Sequence, residues 1–129
     1  MKMAFLLVFL GAGIGGMARH AINSAALKLL GSGFPYATLA INVAGSLLMG
    51  LVAEYWAIKT NLPQPVRLFL TTGVLGGFTT FSAFSLDTVL LWERGQTIAA
   101  AGYVLASVAL SVGALLLAIW LVRHSLATG

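Results

Sequence analysis

Four apolar runs, each long enough to cross a hydrocarbon layer, fill almost the whole chain. A bilayer core of roughly 30 Å needs about 20 apolar residues per helix. The runs cover residues 4–26, 36–58, 66–92 and 97–122, and only GSGFP (Gly31–Pro35), KTNLPQP (Lys59–Pro65) and ERGQ (Glu93–Gln96) separate them. These connectors are rich in turn-forming residues. A mean hydropathy of +1.00 and a charged fraction of 8% agree with the spacing. The sequence predicts a single all-α integral membrane domain over residues 1–129, with four transmembrane helices per subunit and no room for a soluble domain.

Lys2 followed, after Met3, by AFLLVFLGAGIGGMA has the outline of a signal peptide ending at Ala18. The apolar pattern continues past Ala18 and three more runs follow, so the first run is expected to persist as a helix. The absence of cysteine removes disulfides, thiol catalysis and thiolate metal sites. The net charge of +4 does not point to nucleic acid, because the seven basic residues are scattered and form no stripe for a phosphate backbone. Lys2, Lys59, Arg67 and Arg123 fall on one side of the membrane, and Arg19, Lys28 and Arg94 on the other. A count of four against three is compatible with an orientation fixed by other means, and equally with insertion in both orientations. Tyr36, Tyr55, Trp56, Trp92 and Trp120 lie at the ends of runs, where interfacial aromatics belong. Tyr103 lies inside one.

Lipid supplies no hydrophobic force between helices, so small residues must allow close packing. Gly11 with Gly15, Ser46 with Gly50, and Ala109 with Gly113 have the small-xxx-small spacing and read as packing contacts. Tyr103, Ser107 and Ser111 line one helix face at i, i+4 and i+8, and Thr38, Asn42 and Ser46 form a second polar stripe on the second run. A single serine is most simply an interhelical hydrogen-bond partner, worth about 0.6 kcal/mol. Two parallel stripes in four helices favour a hydrophilic pathway. No charged residue sits deep in a run, since Glu54, Asp87 and Arg19 lie nearer the ends, where snorkelling or local pairing accounts for them.

Enzymatic readings find no support. His20 and His124 are far apart with no acidic ligand at metal-binding spacing, GxSxG and HExxH are missing, and no GK[ST] follows the glycines of the third run. No catalytic residue is assigned. A proton-coupled dual-topology multidrug exporter would need an acidic residue in the first run, which has none. A non-transporting helical assembly subunit is the other alternative, with the stripes serving only packing.

The third run, residues 66–92, would measure roughly 40 Å as one straight helix. Gly73, Gly76 and Gly77 cluster at its centre. Glycine costs about 1 kcal/mol against alanine in a helix interior and permits left-handed backbone. A break near residues 76–80 is therefore expected. It would free carbonyls and N–H groups that protein, water or ion must satisfy. Thr79 and Thr80 are placed to cap the resumed helix. Phe81 and Phe84 follow, and their positive ring edges suit weak stabilisation of a small anion.

Gly73-Val-Leu-Gly76-Gly77-Phe-Thr79-Thr80-Phe81-Ser-Ala-Phe84 in a four-run chain, with Asn42 in the second run, resembles the Fluc (CrcB) family of fluoride channels along essentially its whole length. The resemblance implies an antiparallel dual-topology homodimer with two narrow pathways, passively exporting cytoplasmic fluoride across the inner or plasma membrane of a prokaryote. It further implies a structural sodium ion at the dimer interface, held by the backbone carbonyls of Gly76 and Thr79. Phe81 and Phe84 match the phenylalanines lining the fluoride route, and Asn42 the asparagine beside them. Tyr103, Ser107 and Ser111 match its polar track, Thr80 and Thr38 polar positions near it, and Arg19 a basic vestibule residue. The chain departs from the family's usual FSTF at Ala83, which puts a hydroxyl role there in doubt. Asp87 stands near where many members carry Glu, and no pore role is assigned to it.

Overall fold

The computed structural model of the chain describes residues 2–59 and 61–128. It is all-helical: α1 (Lys2–Leu30), α2 (Tyr36–Ile58), α3 (Gln64–Leu68), a π-helical stretch (Phe69–Leu75), α4 (Gly76–Phe78), α5 (Phe81–Glu93) and α6 (Thr97–Thr128). Four segments are long and apolar enough to span a membrane: α1, α2, residues 64–93 together, and α6 over Thr97–Leu126. α1 runs past the apolar pattern to Leu30 and ends where Gly31 adopts a φ of +76°, a conformation glycine enters without steric cost. Gly95, with φ +79°, ends α5 in the same way.

α2 packs most extensively on α6, and α1 packs on residues 69–78. The contact of α1 with the third segment is nearly backbone on backbone. A Cβ added at Gly11 would lie 2.8 Å from the Gly73 Cα, and one added at Gly77 would lie 2.8 Å from the Ala12 Cα. Such spacing is the membrane solution to helix association, in which van der Waals contact between backbones replaces the hydrophobic effect.

This changes the expected role of the central glycines. Gly76 has right-handed helical angles (φ −63°, ψ −37°), and only Gly31 and Gly95 have positive φ among the described residues. Gly77 serves closeness to α1 instead of left-handed backbone. Helical geometry continues through both glycines and is left at Thr79 (φ −80°, ψ 157°) and Thr80 (φ −152°, ψ 116°). The π-helical turns before them, where the Gly76 N–H reaches the Thr71 carbonyl, rotate the following residues relative to a regular helix.

The buried centre is small. Leu91, Ala100 and Tyr103 form it, with Phe34, Leu39 and Phe84 packed around. Phe5, Phe9, Met17 and Ile98 point outward, as lipid-facing side chains do. The sharpest packing prediction concerns Gly15, where a Cβ would collide with the Val74 carbonyl oxygen and sit 2.7 Å from the Phe78 nitrogen. Backbone cannot yield cheaply there, so Gly15→Leu should destabilise the subunit by about 3 kcal/mol or more. A Cβ at Gly13 meets nothing within 4 Å, so Gly13→Leu should melt like the parent protein in detergent.

Candidate functional site

Two residues in extended conformation inside a membrane-length segment leave backbone groups without helical partners, and Asn42 on α2 takes up one of these sites completely. The Thr80 N–H donates to Asn42 Oδ1 at 2.8 Å, while Asn42 Nδ2 donates to the Thr80 carbonyl at 3.0 Å. The side-chain amide thus pairs with Thr80 as a neighbouring strand would. Asn42 holds the extended residue in place, and its donor and acceptor both face Thr80.

In a continuous helix the Gly76 carbonyl would accept from the Thr80 N–H, which here goes to Asn42. The Thr79 carbonyl would accept from the Ala83 N–H, which here goes to Thr80 Oγ1 at 3.1 Å as an N-cap. No side chain among the described residues donates to either carbonyl in exchange. The Gly77 carbonyl does receive a replacement, Arg19 Nε at 3.3 Å. Arg19, expected at a vestibule, lies against the interruption with its guanidinium tied to backbone. The two threonines also divide their work unequally. Thr80 caps α5, whereas the Thr79 hydroxyl turns back to the Leu75 carbonyl at 2.9 Å and caps nothing.

A groove of about 340 Å³ opens beside these residues. Asn42, Ser46, Thr79 and Thr80 form one part of its wall, Phe81 and Phe84 another, and Ser107 and Ser111 of α6 a third. No acidic or basic side chain among its lining residues contributes charge. The phenylalanine rings lie 5.5 Å apart at 49° to each other, and Phe81 remains 77% exposed. The hydroxyls of Ser107 and Ser111 are buried and have no hydrogen-bond partner among the described residues. An unpaired buried hydroxyl costs about 1–3 kcal/mol, so two in one groove need a reason.

Tyr103 continues the α6 stripe away from that groove. Its side chain is fully buried, and its hydroxyl donates to Asp87 Oδ2 at 3.1 Å. Thr38, 6% exposed, adjoins that hydroxyl and lies outside the groove of Phe81. The structure therefore divides the sequence-derived candidates. Asn42, Thr79, Thr80, Phe81, Phe84, Ser107 and Ser111 come together, Tyr103 and Thr38 stand one turn further on, and Gly76 and Arg19 lie behind the interruption. Asp87 joins the stripe although nothing in the linear sequence pairs it with Tyr103. The signal that points to it is a tyrosine hydroxyl deep in an apolar helix, which must find a partner.

The Asn42 clamp is open to direct test. Asn42→Ala removes both bonds to Thr80 and should destabilise the subunit by about 2 kcal/mol in detergent unfolding. Asn42→Asp keeps the shape but sets a carboxylate against the Thr80 carbonyl, and should be no better than Asn42→Ala.

Residues 6–119 match the model of the family described as CrcB-like protein, Camphor Resistance (CrcB). The chain is 64% identical over 121 residues to a protein of Granulibacter bethesdensis named fluoride-specific ion channel FluC, covering 94% of this chain and 95% of that one. A protein of Rhodopseudomonas palustris with the same name is 58% identical over 121 residues, covering 94% and 98% of the two chains. One from a Methylobacterium species, also so named, is 52% identical over 119 residues, covering 92% and 95%. Sequence, four membrane-length helices and relatives matched almost end to end agree that the chain belongs to the CrcB-like family.

Proposed function

We propose that the chain is a fluoride-selective ion channel, not an enzyme, which lets cytoplasmic fluoride leave a prokaryotic cell passively down its electrochemical gradient. The observation that carries this reading is the pair of buried, unpartnered hydroxyls of Ser107 and Ser111 in an uncharged groove beside Phe81 and Phe84. Hydroxyls donate well to a small anion of high charge density. The relatives in Granulibacter and Rhodopseudomonas bear the name of fluoride-specific channels, and identity at that level over nearly the whole chain supports the same ion here.

The groove suits conduction because nothing in it binds an anion tightly. An ion must be stabilised enough to enter low dielectric and weakly enough to leave. Phenylalanine edges supply partial positive charge, the serine hydroxyls replace some of the hydration shell, and the capped start of α5 presents first-turn N–H groups of the positive helix end. A fixed Arg or Lys would hold fluoride too long, and none lines this groove. We read Thr79 and Thr80 as a break within a single membrane span, with Asn42 and Arg19 offsetting part of its backbone cost.

The groove is open along one side, and polar groups facing hydrocarbon are costly. A second copy of the chain, inserted antiparallel, would cover it and give two pathways in a dual-topology homodimer. The even distribution of basic residues is compatible with both orientations. The released carbonyls of Gly76 and Thr79 fit a hard cation that takes oxygen ligands. They would hold a structural sodium ion between the subunits, and its charge would favour a nearby anion.

Reconstituted protein should release fluoride from liposomes once potassium permeability balances charge. Phe81→Ile and Phe84→Ile should each cut this release by tenfold or more without loss of the folded dimer on size exclusion, and Ser107→Ala with Ser111→Ala should slow it. Unchanged efflux in both phenylalanine variants would return the groove to a packing role.

A further inference from the structure

Besides the groove at Phe81, the fold holds a second one, of about 410 Å³, at the end of the bundle where α1, the Gly31–Pro35 turn, the start of α2 and the end of α5 meet. Its polar lining is Asn23, Ser32, Tyr36, Thr38, Asp87 and Arg94. We infer that this groove is the second mouth of the anion track, and that Arg94 is the residue that draws a small anion into it. This rests on the channel reading above and extends it to residues that reading does not use.

Continuity is the first argument. Rings pack in series from the Phe81 groove to the second one: Phe81 on Phe84 at 5.5 Å, Phe84 on Tyr103 at 5.2 Å, Tyr103 on Phe34 at 5.5 Å, and Phe34 on Tyr36 at 4.9 Å. Phe34 and Tyr36 line the second groove. The hydroxyl stripe takes the same direction, since Tyr103 ends at Asp87, which also lines it. Tyr103 thus stands as the partition between the two grooves.

Charge is the second argument. Asp87 would repel an anion at this mouth, and Arg94, which lines the same groove, carries the positive charge that would offset it. Arg94 follows Asp87 by two helical turns on the same face of α5, about 10 Å along the axis. It is exposed and forms no ion pair among the described residues, where the bridge that does form joins Arg123 to Glu54 at the other end of the bundle. Its backbone is fixed. The Gly95 N–H bonds the Trp92 carbonyl and the Gln96 N–H bonds the Leu91 carbonyl, a Schellman turn that locks Arg94 as the C-cap of α5. An arginine at a helix C-terminus also complements the dipole, but that role would not tie the rate of anion flux to salt.

The test is fluoride efflux from proteoliposomes, at fluoride below saturation, over a range of ionic strength. At low ionic strength Arg94→Ala should slow efflux by about threefold or more, and Arg94→Lys should restore it. At about 1 M inert salt, where screening falls to roughly 3 Å, the variants should converge on the parent protein. Because the chain has no cysteine, a Ser32→Cys variant can be treated cleanly with a negatively charged methanethiosulfonate from both faces, and the modification should slow efflux. Equal rates for Arg94→Ala and the parent protein at low ionic strength would overturn the inference. So would complete modification at position 32 without effect on flux. No fluoride efflux from the parent protein would instead overturn the channel reading on which this one rests.

Discussion

Backbone groups in hydrocarbon must be paired within the protein, and this requirement governs the structure around Thr79 and Thr80. Two residues leave helical geometry in the middle of a membrane-length segment, and three of the groups around them are answered from different places, while the Gly76 and Thr79 carbonyls receive no side-chain donor among the described residues. Asn42 reaches across from α2 to pair with Thr80, Thr80 caps α5 with its own hydroxyl, and Arg19 reaches from α1 to the Gly77 carbonyl. The groove with Phe81, Phe84 and the α6 serines exists because these three contacts keep an extended backbone in a place where a helix would fill the space.

The glycines make those contacts geometrically available. Gly11 lies against Gly73 and Gly77 against Ala12, at distances that would put any added Cβ into backbone. α1 is thereby brought close enough for Arg19 to reach Gly77. Gly45 does the same from α2, giving the Thr79 methyl a notch that a larger residue would close. Packing by small residues and coordination of loose backbone are one design, in which closeness of helices substitutes for water as the partner of polar groups.

Much of this was legible in the chain, for identifiable reasons. The four spans follow from apolar run length, and the stripe Tyr103, Ser107, Ser111 follows from helical period. Asn42 and the GGFTTFSAF segment carried the resemblance to fluoride channels, which the family match and the named relatives support. Other features were hidden because they depend on contacts between distant segments. Gly76 and Gly77 looked like the place where the helix would turn left-handed, yet both stay helical and the departure falls on the threonines after them. The Asn42 exchange with Thr80, the Arg19 bond to Gly77 and the Asp87 bond to Tyr103 join residues 16 to 58 positions apart. Spacing along one helix cannot display such pairs. The π-helical turns before Gly76 leave no mark in residue type at all.

The central claim is selectivity for fluoride through an uncharged track of hydroxyls and phenylalanine edges. It is tested most directly by loading liposomes containing the protein with fluoride and chloride together and following both ions with selective electrodes after potassium permeability is raised. The account predicts prompt release of fluoride with chloride retained. Release of both ions at similar rates, or of neither from vesicles shown to contain folded protein, would contradict it.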